Sequence, residues 1–422
     1  MPKTGWLAAT VLLLASASAV AQAQNPPVDQ TGHDMSAMSS PTLWMTMFDG
    51  VVFGTFNHQG GPRGGDEFVS TDWFMVMTSR PAGSGKLQLA GMFSLDPATT
   101  GGDGYRELFQ VGETYQGAPL VDHQHPHDLL MQVSVAWRVP LNASTALTLA
   151  GAPVGEPALG PTAFMHRPSA AENVAAPLSH HTLDSTHISM GVLTAGIERG
   201  PWTVESSIFH GGEPDDNRWD LMDPGALDSW SVRGWFQPTP TWQFQLSHGF
   251  LTQPEALEPG NVRRTTGSVE WWRPRVGGFS AATVAVGRND TDHGSRAALL
   301  VEVTERRRNL TLFTRLETLQ VETATLVGHT FEGHHDQQDV VTALTLGTVL
   351  DLPTLKRFEI GMGGDVTFYA VPDALQPSYG RPTSFHVFLR IRPPASTMGR
   401  MWNMRMGRVS VEDHAHGNHA QP

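Results

Sequence analysis

Cysteine is absent from all 422 residues, so neither a disulfide nor a thiolate metal site is available to this chain. Long apolar runs are missing too. Beyond residue 23 nothing approaches the roughly 20 uninterrupted apolar residues that a helical membrane span needs, which argues against a helical anchor in the body of the protein. Basic residues are scarce: 28 Lys+Arg against 41 Asp+Glu give a net charge of −13. That balance speaks against nucleic acid as a partner and against a polybasic membrane contact, and favours cations. Nucleophile elbow, phosphate loop and dinucleotide fingerprint are all lacking. Neighbours such as His293-Gly294-Ser295 do not make a triad, which is defined by geometry. The chain therefore does not read as an enzyme, and a metal-activated water is the one route to hydrolysis left open.

What is present is turn and interface chemistry: 43 Gly, 30 Pro and 12 Trp suit many short-linked strands with aromatic residues at a membrane boundary. Residues 1–23 have the form of a secretory signal peptide. Lys3 supplies its positive start, residues 6–15 its apolar stretch, and Ala19-Val20-Ala21 or Ala21-Gln22-Ala23 a small-residue cleavage site. Residues 24–41 read as a mobile leader with His33, Met35 and Met38, and 393–422 as a disordered tail with four methionines from Met398 and with His414, His416 and His419. Both tracts would collect soft metal through thioether and imidazole, or serve merely as a linker and an amphipathic stripe.

Between them, residues 42–392 keep a period of two. In 242–250, Trp242, Phe244, Leu246 and Phe250 share one face while Gln243, Gln245, Ser247 and Gly249 share the other. The polar face elsewhere carries Glu302, Thr304, Arg315 and Glu317, which suits a wet lumen better than a surface in water. Connections alternate: seven short turns, near residues 80–85, 140–144, 199–201, 237–241, 273–278, 305–309 and 351–356, are separated by longer excursions. This wiring predicts an all-β, transmembrane, antiparallel up-and-down barrel of about 16 strands, with 14 as the alternative, in the outer membrane of a Gram-negative bacterium. Lipid is then an obligatory partner. Homo-oligomers are common among porin-like barrels.

The long external loops hold most of the histidine. Asp122-His123-Gln124-His125-Pro126-His127-Asp128 would place three imidazoles on one side of an extended backbone, with Asp122 or Asp128 as ligands or as orienting carboxylates. Pro126 is the residue expected to splay His127 away. A later loop adds His166, His180, His181, Asp184 and His187, and its Pro-rich, apolar composition predicts that it folds inward and constricts the lumen. A third stretch has Glu332, His334, His335 and Asp336, expected to be solvated and apart. His123, His125, His127, Asp122 and Asp128, completed by His180, His181, His187 and His166, form the candidate metal set, for copper first and zinc second. Met45, Met47, Met75, Met77, Met92 and Met131 would make a soft lining if they face the lumen. Because Trp44, Phe48, Trp73 and Phe74 make both faces apolar, lipid is their default surroundings.

Residues 121–128, 155–167 and 178–187 resemble stretches of a family of exported Gram-negative outer-membrane β-barrel proteins to which no activity is assigned. A looser resemblance, through the Met/His leader ahead of a barrel, is to outer-membrane copper resistance protein B, and implies copper handling. The leader here is short and lacks long Met/His repeats. The expected function is transport or sequestration of a transition metal in heavy-metal tolerance. The alternatives are a passive porin for small solutes and a metal-dependent hydrolase.

Overall fold

The computed structural model describes residues 44–255, 260–292, 294–327, 338–353, 358–394 and 400. The signal peptide, both Met/His tracts, and Glu332, His334, His335 and Asp336 lie outside the described residues. Sixteen described strands make one wall. They are β1 (Met45–Gln59), β2 (Gly65–Ala82), β3 (Gly85–Phe93), β4 (Leu130–Asn142), β5 (Thr145–Gly155), β6 (Ser189–Arg199), β7 (Trp202–His210), β8 (Ser229–Thr239), β9 (Trp242–Leu251), β10 (Val262–Arg275), β11 (Gly278–Thr291), β12 (Gly294–Arg307), β13 (Leu310–Glu322), β14 (Gln338–Asp351), β15 (Glu359–Ala370) and β16 (Thr383–Arg392). Each pairs antiparallel with its chain neighbours. β1 closes on β16, with Val52 opposite Ile391 and His58 opposite Phe385, so the barrel has no free edge.

The period of two explains the wall. In β9, Trp242, Phe244 and Leu246 point outward and are exposed, whereas Gln243, Gln245 and Ser247 are buried. The pattern inverts that of a protein dissolved in water: Leu246 is 67% exposed while Glu302 and Thr304 are fully buried. Such a surface is stable only against hydrocarbon. Aromatic side chains flank the belt at both ends, Trp137, Trp202 and Trp242 towards the short turns and Phe68, Trp230 and Phe385 towards the long loops.

Two-residue turns close most hairpins at one end. Gly200 (φ +55°) and Gly277 (φ +73°) sit in left-handed conformations there, where a side chain would be strained. At the other end, the excursion expected over 289–294 shrinks to residues 292–293, because β11 and β12 continue to Thr291 and Gly294. No described helix is long and apolar enough to cross a membrane.

The lumen is not left empty. Loop 156–188 crosses it and is fastened to strands far around the barrel by ion pairs: the buried pairs of Arg167 with Glu302 of β12 at 2.9 Å and of Glu172 with Arg390 and Arg392 of β16, and the half-buried pair of Arg233 of β8 with Glu156 at 2.7 Å. Loop 94–129 packs beside it, and the Tyr105 hydroxyl accepts a hydrogen bond from the Ala176 amide at 3.1 Å. The inward folding expected from the Pro-rich, apolar composition is what the structure shows.

Candidate metal centre in the lumen

His180 and His181 open a one-turn helix (His180–Leu183) whose start is held by Glu317 of β13. That carboxylate accepts from the Ser179 amide at 3.0 Å, the Ser179 hydroxyl at 2.6 Å and the Leu178 amide at 3.2 Å. Arg264 of β10 donates to the His181 carbonyl at 2.7 Å and to Ser185 at 2.9 Å, fixing the other side. His187 follows in a 3-10 turn, with Nδ1 2.9 Å from the Asp184 carbonyl. The loop is thus clamped before and after its histidines.

Loop 94–129 meets it with His125 and His127. Ring centroids are 5.9 Å apart for His125 and His181, 5.4 Å for His180 and His181, 5.0 Å for His180 and His187, and 5.7 Å for His127 and His187. Phe164 packs against His127, His180 and His187 from one side. Five imidazoles from two loops therefore form one cluster. Two are oriented by carboxylates, His127 by Asp96 and His180 by Asp184, each with Nδ1 to oxygen at 2.8 Å. A carboxylate on one ring nitrogen fixes the tautomer and leaves the other free to coordinate.

Around His181 the donors change character. Glu113, His125 and His181 bring one ligand atom each within 4.8 Å of one another, and His181, Glu213 and Glu255 do the same. The closest pairs are His125 Nε2 to Glu113 at 3.4 Å, and His181 Nδ1 to Glu255 at 3.5 Å and to Glu213 at 3.6 Å. The His181 pairs are too long for hydrogen bonds. Both His181 ring nitrogens, His125 Nε2 and both Glu213 oxygens are buried without a hydrogen-bond partner among the described residues. Two ligands about 2.1 Å from a tetrahedral ion lie about 3.4 Å apart, so these spacings fit an ion between the groups.

Charge follows position. Burial, with Arg218 and the neighbouring imidazoles, holds His125 well below its usual value, so it is neutral and ready to donate a lone pair. Burial likewise takes His180 down to about 4 and lowers His187. His181 goes the other way: burial lowers it, but Glu213 and Glu255 outweigh burial and raise it well above the ordinary range. Burial raises Glu113 to about 7, against the pull of Arg218. Asp184 is held low by Arg167 and His180 despite its burial.

Not every predicted residue takes part. His123 stays in a two-stranded ribbon, where His123–Gln124 pairs with Tyr105–Arg106, and its Nδ1 lies 3.1 Å from the Val121 carbonyl. Asp122 turns away to accept from the Phe109 amide at 2.8 Å, the Tyr379 hydroxyl at 3.2 Å and Arg63. Asp128 accepts from Arg218 at 3.3 Å. His166 stands edge-on to Trp73 at 5.2 Å, outside the cluster. The orienting carboxylates are Asp96 and Asp184 rather than Asp122 and Asp128. Glu113, Glu213 and Glu255 had no signal in their local sequence, because three separate loops bring them to His181.

Cavities lie on both sides of the cluster. One at the long-loop end is lined by His181, Glu255, Arg264, Asn289 and Glu322. Two reach towards the short-turn end: one lined by His125, His127, Asp96 and Arg392, the other by His187, Met92 and Trp235.

No protein-family model and no curated protein sequence matches the chain. Among solved structures the fold is similar to Pseudomonas putida OprB, with a TM-score of 0.50 at 9% identity over 83% of this chain and 94% of that one. It also matches an anion-selective porin from Comamonas acidovorans (0.46, 11%, 83% and 100%) and a loop-deletion mutant of OmpT, an outer membrane protein of Vibrio cholerae (0.47, 9%, 83% and 99%). A closed sixteen-strand wall with an apolar outer belt is the architecture of an outer-membrane β-barrel, and the OprB likeness is one of fold. The lumen of this chain is crossed by loops that gather five histidines.

Proposed function

We propose that this barrel takes a divalent transition-metal ion into its lumen, for passage across the outer membrane or for sequestration there. The observation that carries this reading is the convergence of Glu113, His125 and His181, and of His181, Glu213 and Glu255, at ligand spacing, with both His181 ring nitrogens, His125 Nε2 and both Glu213 oxygens buried and without a hydrogen-bond partner among the described residues. Imidazole and carboxylate donors without thiolate suit borderline divalent ions, copper(II) above zinc(II) by intrinsic affinity. Two or three carboxylates beside the histidines offset the charge of a divalent ion where water is scarce. The placement of the cluster between cavities at the two ends of the lumen supports passage.

A binding titration of the detergent-solubilised full chain with zinc(II) and copper(II) tests this. His181→Ala is expected to weaken binding by at least about tenfold, whereas His123→Ala leaves it unchanged. Equal binding by wild type and His181→Ala would refute the assignment. The second reading, a passive porin for small solutes, is favoured by His127 and His180 already holding partners on Nδ1, as structural histidines in a constriction would. Single-channel conductance indifferent to chelator and to added zinc would support it.

A further inference from the structure

Methionines line open space inside this barrel. Met75, Met92 and Met131, on β2, β3 and β4, point into the lumen and are 5%, 4% and 1% exposed, contrary to the lipid-facing default expected of them. With Met165 from loop 156–188 they border a cavity of about 300 Å3, which His166 and His187 also line. Buried methionine ordinarily fills gaps in an apolar core; these four, from three wall strands and a loop, pack in one buried apolar cluster and also border this cavity. His166 Nδ1 and His187 Nε2 are buried there without a hydrogen-bond partner among the described residues.

We propose that this chamber is a second metal site, selective for a soft monovalent d10 cation, copper(I) or silver(I), held by methionine sulfur and the His166 imidazole. Resting on the reading of the lumen as a metal-handling space, the proposal names the class of ion its second compartment takes. Thioether and neutral imidazole are soft, uncharged donors that favour copper(I)-like ions over hard divalent ones. A monovalent ion also asks for less carboxylate than a divalent one, and the sulfur and imidazole donors here are uncharged. A divalent ion is better matched by the carboxylate-rich set around His181. His187 lies between the two compartments, lining the chamber while its ring packs 5.0 Å from His180. The lumen is thereby graded, oxygen and nitrogen donors towards the long loops and sulfur and nitrogen donors towards the short turns.

The test uses silver(I) and zinc(II) as probes on the full chain in chloride-free detergent buffer. Metal retained after gel filtration is counted by mass spectrometry, and X-ray absorption at the silver edge reads sulfur scatterers. The double variant Met92→Leu, Met131→Leu is expected to retain about one silver ion fewer per chain and to lose sulfur scattering, with zinc unchanged. His181→Ala is expected to lose zinc and keep silver. Unaltered silver retention and sulfur scattering in the double variant would overturn the chamber, including the case where the terminal methionines alone hold the silver. Absence of zinc binding by wild type would instead count against the divalent site. Leucine is close to methionine in volume, so the barrel is expected to form, as shift of its gel mobility on heating will show. If it does not, Met165→Leu, in the loop rather than the wall, gives the same reading.

Discussion

His181 owes its proton to its surroundings. Burial alone would strip it, but Glu213 and Glu255 face Nδ1 and raise its affinity for the proton. A metal ion entering between these groups must displace that proton, so binding releases protons and weakens as the pH falls. Titrations at pH 6 and 8 are expected to show tighter zinc binding at the higher pH, and proton release detectable in buffers of different ionisation enthalpy. Gly112 gives a sharper test because it is no ligand. Its backbone runs so close to His181, at φ +120°, that an added Cβ would sit 2.6 Å from the ring. Gly112→Ala should therefore push the imidazole aside and weaken zinc binding by about tenfold or more. Normal affinity in that variant would mean that the ring position seen here does not matter. At this scale the sequence told half the story. Histidines concentrated in long loops were visible, but their carboxylate partners were not, since no local spacing links Glu113, Glu213 and Glu255. His123 lies apart from the cluster because extended alternation holds only over His123–Gln124, after which the chain turns from the ribbon and carries His125 and His127 into the cluster.

Loop 156–188 is the element on which the site depends. Its buried Arg167 bridges Glu302 at 2.9 Å and Asp184 at 2.8 Å, and Asp184 in turn orients His180. Removing that guanidinium leaves Glu302 with Arg315 as its one ion-pair partner and Asp184 with His180 alone, a loss near the lower end of about 3–5 kcal/mol. Arg167→Met is thus expected to release the loop, speed hydrogen exchange across its peptides, and raise conductance. The loop should also respond to acid. His180 is held at about 4 against an ordinary 6.5, so the released loop binds a proton that the packed loop does not. Its packing is therefore stable above the ordinary value and weakens as the pH falls from 6.5 towards about 4. The raised His181 contributes the opposite sign, stabilising below its ordinary value and losing that contribution only as the pH rises through its raised one. Hydrogen exchange at pH 7 and pH 5 should show faster opening at pH 5, with a smaller difference in His180→Gln. Composition revealed that this loop folds inward. Its anchors could not be read from the sequence, because Glu302, Glu317, Arg264 and Arg390 lie on strands far along the chain and look like ordinary lumen-facing polar residues.

For the whole molecule, the sixteen-strand barrel is legible because two weak signals reinforce each other: a period of two within segments, and an alternation of short turns with mostly longer connections. Which apolar face looks at lipid is less so. Trp73 and Met75 are inward-facing and buried although they resemble lipid-exposed residues, since apolar loop residues such as Met165 and Val174 fill that part of the lumen. The result is a membrane wall whose lumen is largely filled by two loops, with the five-histidine cluster at their junction and cavities on either side of it. The most direct measurement is an anomalous difference map at the zinc edge from crystals of the full chain grown with zinc(II). A strong peak is expected among Glu113, His125, His181, Glu213 and Glu255, and none beside His123. A map with no peak in the lumen, or with zinc only at the chain ends, would refute a lumenal metal site.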